Sequence, residues 1–407
     1  MPLTRRDFMK GLAVFSGLGL APKFLTDVYA DTAQAIQGFN DGRVLVVVQL
    51  GGGNDGLNTV VPFENDLYYN ARPNLGLRPG RLLKLNDQLG LNDALKPIMP
   101  LYDQGQLAVI QGVGYPNPDR SHFRSMEIWH TASDSDEYLG DGWIGRYFDN
   151  NCSGSAQPQV GLALDAERPQ AFGSALGYGV STTDPGKFGW NAGQGADSTA
   201  AFEALNTGAT GNPTLDFLRH TTTAAVQSSG EVRAAAKRGK VQMDGGRGRA
   251  ARVNQLDTVA GLIRGGLATR IYYVSTSGFD THAGQGGRHE QLLGDVANAL
   301  ARFQQQLERD GTADRVTTMV FSEFGRRVNE NGSGGTDHGT AAPMFLLGRN
   351  VRGGLHGQTP DLADLDRGDL KFNTDFRRVY ATVLESWLHA DPKAVLKDSF
   401  EPMNLIT

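Results

Sequence analysis

The feature that most constrains this chain is a set of short, almost wholly apolar runs, each followed by a polar segment rich in glycine. Arg43-Val44-Leu45-Val46-Val47-Val48-Gln49-Leu50 is apolar on consecutive positions and stops at Gly51-Gly52-Gly53. A strand apolar on both faces is buried on both, which marks a central strand of a parallel sheet covered by helices. The patterning predicts further strands over 107–111, 271–275, 316–321 and 343–347. Helical patterning lies between them, over 94–102, from Ser121 through Trp129, over 288–309 and over 376–388. In 288–309, Leu292, Leu293, Val296, Leu300, Phe303 and Leu307 form one stripe. This alternation predicts an α/β fold with a mostly parallel sheet and helices on both faces. Residues from about 151 to 256 are rich in Gly, Ser, Thr and Ala, with a helix over 215–237. They read as an insertion or cap within a single domain over 31–407.

The N-terminus predicts where the protein works. Thr4-Arg5-Arg6-Asp7-Phe8-Met9-Lys10 precedes an apolar run over 11–20, and Val28-Tyr29-Ala30 offers small residues for cleavage. These are the parts of a twin-arginine signal peptide over 1–30. They predict a periplasmic or secreted protein that meets the twin-arginine translocase during export. No other run is apolar enough to span a bilayer, so no integral membrane protein is expected. With a net charge of −5 and no block of Lys or Arg, nucleic acid is not an expected partner. The single cysteine, Cys152, cannot form an internal disulfide. It reads as a surface thiol.

Open α/β sheets build their sites at the carboxyl ends of the strands. The segments expected there are Gly53-Asn54-Asp55-Gly56-Leu57-Asn58-Thr59, Asp119-Arg120-Ser121-His122-Phe123-Arg124, Gly278-Phe279-Asp280-Thr281-His282, Ser322-Glu323-Phe324-Gly325-Arg326 and Gly335-Thr336-Asp337-His338-Gly339-Thr340. Each carries carboxylate, imidazole or hydroxyl groups. Asp280 and His282, two apart on a chain leaving a strand, can reach one divalent ion, with His338 as third ligand. Asp55 and Glu323 either complete that site or hold a second ion, and two ions can clamp both oxygens of a displacement. Zinc, calcium and magnesium all stay open. The plainer alternative for each is a turn former, a helix cap or an ion pair. His130, His220, His289, His356 and His389 lack this setting and read as structural or surface residues.

Ser121 is the nucleophile candidate, because a helix N-terminus favours negative charge. There Arg124, with Arg120 near it, can bond the oxygens of a phosphate or sulfate. An ordinary Ser cap is the alternative, and Thr59 is the second nucleophile candidate. Gly51-Gly52-Gly53-Asn54-Asp55-Gly56 also matches the dinucleotide fingerprint by spelling. That fingerprint needs a helix next, and Leu57-Asn58-Thr59-Val60-Val61-Pro62 does not provide one.

Together with the twin-arginine start, these segments resemble an exported bacterial family called domain of unknown function 1501, over nearly the whole chain. That family is related to the alkaline phosphatase and sulfatase superfamily. The resemblance implies an alkaline phosphatase-like fold and a metal-dependent hydrolase of phosphate or sulfate esters. By position, Asp55 resembles the first ligand and Ser121 the nucleophile. Asp280 and His282 resemble the next pair, Glu323 the later acid and His338 the last histidine. Two departures stand out. Phe324 occupies the place of a histidine, and the Asp280–His282 spacing is shorter than usual. Both put two-metal chemistry in question.

Three functions therefore compete. One is a secreted hydrolase of small or polymeric esters. The second is a non-catalytic envelope binding protein on the same fold, and the third is a nucleotide-dependent oxidoreductase.

Overall fold

The computed structural model describes residues 41–407 apart from 153–156, 175–176, 190–200, 203, 207–212 and 242–254. The expected signal peptide lies outside the described residues, as do much of the 151–256 segment and the side chain of His220.

The core is a nine-stranded sheet. Its strands are β1 (Val44–Gly51), β2 (Leu107–Gly114), β3 (Gly161–Ala163), β4 (Val180–Ser181), β5 (Ile271–Ser277), β6 (Val316–Phe321), β7 (Ala342–Leu347), β8 (Gly354–His356) and β9 (Thr374–Asp375). The spatial order is β8-β2-β7-β6-β1-β5-β3-β4, with β9 also beside β2. β1 sits centrally and runs parallel to both neighbours, Val46 lying opposite Tyr272 and Thr318. Only β7 runs against its neighbours. The mostly parallel α/β class read from the sequence is the one observed.

Side chains alternate across a strand, and β1 uses both faces. Leu45 and Val47 pack with α1 (His122–Thr131), α2 (Trp143–Asn151) and α6 (Phe376–Thr382), where Trp129 stacks on Phe321 and Phe376. Val44, Val46 and Val48 pack with α3 (Pro213–Arg238), α4 (Gln255–Arg264) and α5 (Gln285–Arg309), through Val232, Val259, Leu293 and Phe303. Within the 151–256 segment, β3 pairs with β5 and α3 enters this second core, so both share the main packing. Cys152 is packed against the first core, and burial pushes its thiol up to about 12. It is not the surface thiol expected from its polar neighbours. No helix among the described residues is long and apolar enough to cross a membrane.

This topology sets the site. The chain leaves β1, β5 and β6 at one edge of the sheet. Because β7 is antiparallel, the residues just before it, including His338, return to that same edge.

Candidate metal centre

Asp280, three residues beyond β5, is the hub. Its Oδ1 accepts from Arg326 Nη2 at 2.7 Å and lies 3.1 Å from both His338 Nε2 and His282 Nε2. Its Oδ2 lies 3.6 Å from His122 Nε2. Partial burial opposes ionisation of Asp280, but the hydrogen bonds from Arg326 and His338 and the Arg326 charge outweigh it and bring the carboxyl down to about 2. The group is an anion at any ordinary pH.

The three imidazoles are held in the same way. Nδ1 of His122 meets Glu323 Oε1 at 2.8 Å, Nδ1 of His282 meets Asp337 Oδ1 at 3.0 Å, and Nδ1 of His338 meets the Arg120 carbonyl at 2.8 Å. Carboxylates and carbonyls only accept, so each Nδ1 carries a proton and each ring turns its Nε2 towards Asp280. His282 Nε2 and His338 Nε2 are 2.9 Å apart, and His122 Nε2 is buried without a hydrogen-bond partner. The hydrogen bond to Glu323 raises the His122 pKa, against the effect of burial. Acceptors converging this closely repel one another unless a proton or a cation sits among them. Anchoring a ligand histidine through its other nitrogen is the usual outer shell of a metal site. Nitrogen and oxygen donors in this mix suit a zinc-like divalent ion better than calcium or magnesium, which prefer all-oxygen shells.

The sequence-derived residues divide by what surrounds them. Asp280, His282 and His338 come together. Glu323 is buried and stands one step back. It orients His122 and accepts from the Gly52 N–H at 2.7 Å, and it pairs with no arginine among the described residues. Asp55 is turned away. It is fully buried, bonded to Arg72 Nη1 at 2.6 Å and to Gln285, and it caps the turn at Asn58. Desolvation disfavours the Asp55 charge, but Arg72 outweighs it and keeps the carboxyl below its ordinary value. Thr59 lies in the same buried network, its hydroxyl donating to the Asp55 carbonyl at 2.7 Å. It has no exposed hydroxyl to attack with. Arg124 also faces elsewhere, ion-paired to Glu127 and bonded to the carbonyls of Asp134, Ser135 and Glu137. It braces that loop and does not reach for an anion. Ser121 is exposed and directly precedes His122 at the start of α1, and its side chain makes no capping bond.

Two residues were missed. His122 sits in the Ser121 segment and was passed over for its neighbour. Arg326 is buried and donates to the carbonyls of Gly53, Thr336 and Phe279 as well as to Asp280. The glycine loop also has a different role from the one its spelling suggests. A Cβ on Gly52 (φ +116°) would stand 2.4 Å from the Asp280 nitrogen, and one on Gly53 (φ +77°) 2.4 Å from the Phe324 ring. These glycines let loops of the protein close on one another, and a short turn (Gly56–Asn58) follows them where the fingerprint needs a long helix.

Residues 195–398, just over half of the chain, match the family described as "Protein of unknown function (DUF1501)". The chain belongs to this family. The matched span holds Asp280, His282, Glu323 and His338, while His122 lies outside it. No curated protein matches the sequence. Among solved structures, this DUF1501 chain is similar to the lipoteichoic acid synthase LtaP from Listeria monocytogenes, at 8% identity over 78% of this chain and 66% of that one, with a TM-score of 0.31. A protein in the alkaline phosphatase superfamily from Vibrio parahaemolyticus is 11% identical over 88% and 70%, with a TM-score of 0.40. The PsFucS1 sulfatase from Pseudoalteromonas sp. is 9% identical over 95% and 75%, with a TM-score of 0.38.

Proposed function

We propose that this protein is a metal-dependent hydrolase of phosphate or sulfate esters, working outside the cytoplasmic membrane after twin-arginine export. The observation that carries the reading is the convergence of the Nε2 atoms of His122, His282 and His338 on Asp280, each ring fixed through Nδ1. Those four residues would hold one zinc-like ion. Bound there, the ion supplies Lewis acidity to an ester oxygen. Phe324 packs its ring 4.9 Å from that of His122 and 4.8 Å from that of His338, which favours a single ion over a pair. Glu323 and Asp337 keep the rings in register and raise their basicity as ligands. Ser121, exposed and next to His122 in the chain, would supply the attacking hydroxyl, and the N–H groups at the start of α1 would favour the negative charge that develops.

The test is metal analysis of the purified full chain, followed by a panel of phosphate and sulfate esters with and without added zinc. Stoichiometric metal and turnover that both vanish in an Asp280→Ala, His338→Ala double variant are expected. A protein that takes up no metal and turns over nothing after metal addition would end the proposal. Metal without turnover would favour a binding protein on the same fold. Export is tested separately, by whether Arg5→Lys, Arg6→Lys retains the protein in the cytoplasm.

A further inference from the structure

Gln285 opens α5 and is fully buried. Buried glutamines are uncommon, and the amide of this one is engaged at both ends. Its Nε2 donates to Asp55 Oδ2, and because a carboxylate only accepts, the amide oxygen is fixed on the other side. There Oε1 accepts from two hydroxyls, Thr336 Oγ1 at 2.6 Å and Thr281 Oγ1 at 3.1 Å. Both threonines are buried. Thr281 stands between Asp280 and His282, and Thr336 stands two residues before His338. One oxygen therefore ties the loop that carries two members of the cluster to the loop that carries a third. The main chain brings the same loops together. The Thr336 N–H donates to the Thr281 carbonyl at 3.3 Å, and the Gln285 N–H donates to the Gly334 carbonyl at 2.9 Å. Gly335 permits this approach, since a Cβ there would stand 2.4 Å from the His282 carbonyl carbon. Behind Gln285, α5 is seated in the second core through Leu292, Leu293, Leu300 and Phe303.

We propose that Gln285 is a positioning residue for the metal centre, its amide oxygen setting the spacing between the Asp280–His282 loop and the His338 loop. A metal site tolerates errors of only about 0.2 Å in its ligand distances, so a slackened clamp reaches the ion. Asp55 then serves the cluster at one remove, by holding the amide the right way round. The effect on an ion rests on the metal-centre reading. The clamp on the two loops rests on the hydrogen bonds alone.

Substitutions at Thr336 separate a hydrogen bond from packing. Thr336→Val keeps the volume and removes the donor, whereas Thr336→Ser keeps the donor and removes a methyl group. Zinc affinity of the purified full chain is read by competition with a chelator, beside the visible spectrum of the cobalt(II) form. Thr336→Val should bind zinc about tenfold more weakly, as loss of an outer-shell contact does, and should shift the cobalt bands. Gln285→Met, which removes the acceptor from both threonines, should lose more, and Thr336→Ser should match the wild type. Should Gln285→Met fail to fold, the threonine variants decide. Affinity and spectrum unmoved in Thr336→Val would overturn the assignment, even if urea denaturation shows a less stable protein. So would a serine variant as damaged as the valine one. The metal-free protein gives a second reading, in which amide exchange over residues 331–338 should quicken about fivefold in Thr336→Val and stay unchanged in Thr336→Ser. A wild type that takes up no zinc would remove the metal-centre reading, and exchange would then decide the clamp by itself. Exchange indifferent to Thr336→Val would overturn it.

Discussion

Asp55 and Asp280 follow neighbouring strands at the same edge of one sheet, and each touches a fully buried arginine. They differ in everything else around them. The other contacts of Asp55 come from donors, the Gln285 amide and the Asn58 N–H, and its side chain has no solvent exposure. The other neighbours of Asp280 are imidazole nitrogens, and its side chain is 45% exposed. A carboxylate ringed by donors is complete and holds the fold. A carboxylate among imidazoles has the neighbours of a metal ligand. What separates a structural acid from a candidate ligand here is the kind of atom it faces, which its place in the sequence does not reveal.

The contrast breaks most sharply at Arg72. Arg72→Ala strands the buried Asp55 charge and should cost about 3–5 kcal/mol in urea denaturation, while zinc uptake by the folded fraction is unchanged. A loss below about 1 kcal/mol would put Asp55 in the wrong class. His289, bonded to Asn54 in the same network, gives the next effect. Burial drops its pKa from 6.5 to about 4, so the folded protein keeps it neutral while the unfolded chain takes up a proton. Stability is therefore fully present above pH 6.5 and falls as pH drops towards 4, by about 3 kcal/mol from this residue. His289→Gln should flatten the slope of stability against pH across that window, and an unaltered slope would refute the assignment.

On the open side the order of effects reverses. Asp280→Ala should weaken zinc binding more than a hundredfold in competition with a chelator, well beyond the range of an outer-shell change. Its metal-free stability should fall by less than that of Arg72→Ala, because the buried Arg326 keeps the carbonyls of Gly53, Phe279 and Thr336 when it loses this half-exposed carboxylate. Asp337→Ala removes the acceptor behind His282 and should cost about tenfold in the same assay. A variant with undiminished affinity would show that this ring is not held through Nδ1.

Most of the fold was legible because its signals are local. The run at 316–321 and the stripe of 288–309 fall on β6 and α5 almost residue for residue. The closing helix was harder to bound, since α6 passes after Thr382 into a wider π turn that no periodicity announces. In the site, Asp280, His282 and His338 were legible from residue type and strand-end position. Asp55 has the same type and the same position. Its partner lies seventeen residues on, in a helix C-cap that carries no motif. Only the folded chain shows which aspartate receives a neutralising arginine and no imidazole. His122 carries the same signal, an imidazole in the strand-end segment of Ser121, but the hydroxyl beside it, at a helix start that favours negative charge, competes for the reading.

Arg326 has one further consequence. Its planar cation is stitched to the carbonyls of three separate segments, those around Gly53, Phe279 and Thr336, and it grips Asp280 as well. None of these stretches can swing out without tearing that guanidinium from several oxygens at once. The cluster around Asp280 is thus braced by the fold itself, so an ion held there, as proposed, would enter after the chain has folded and would not be needed to fold it.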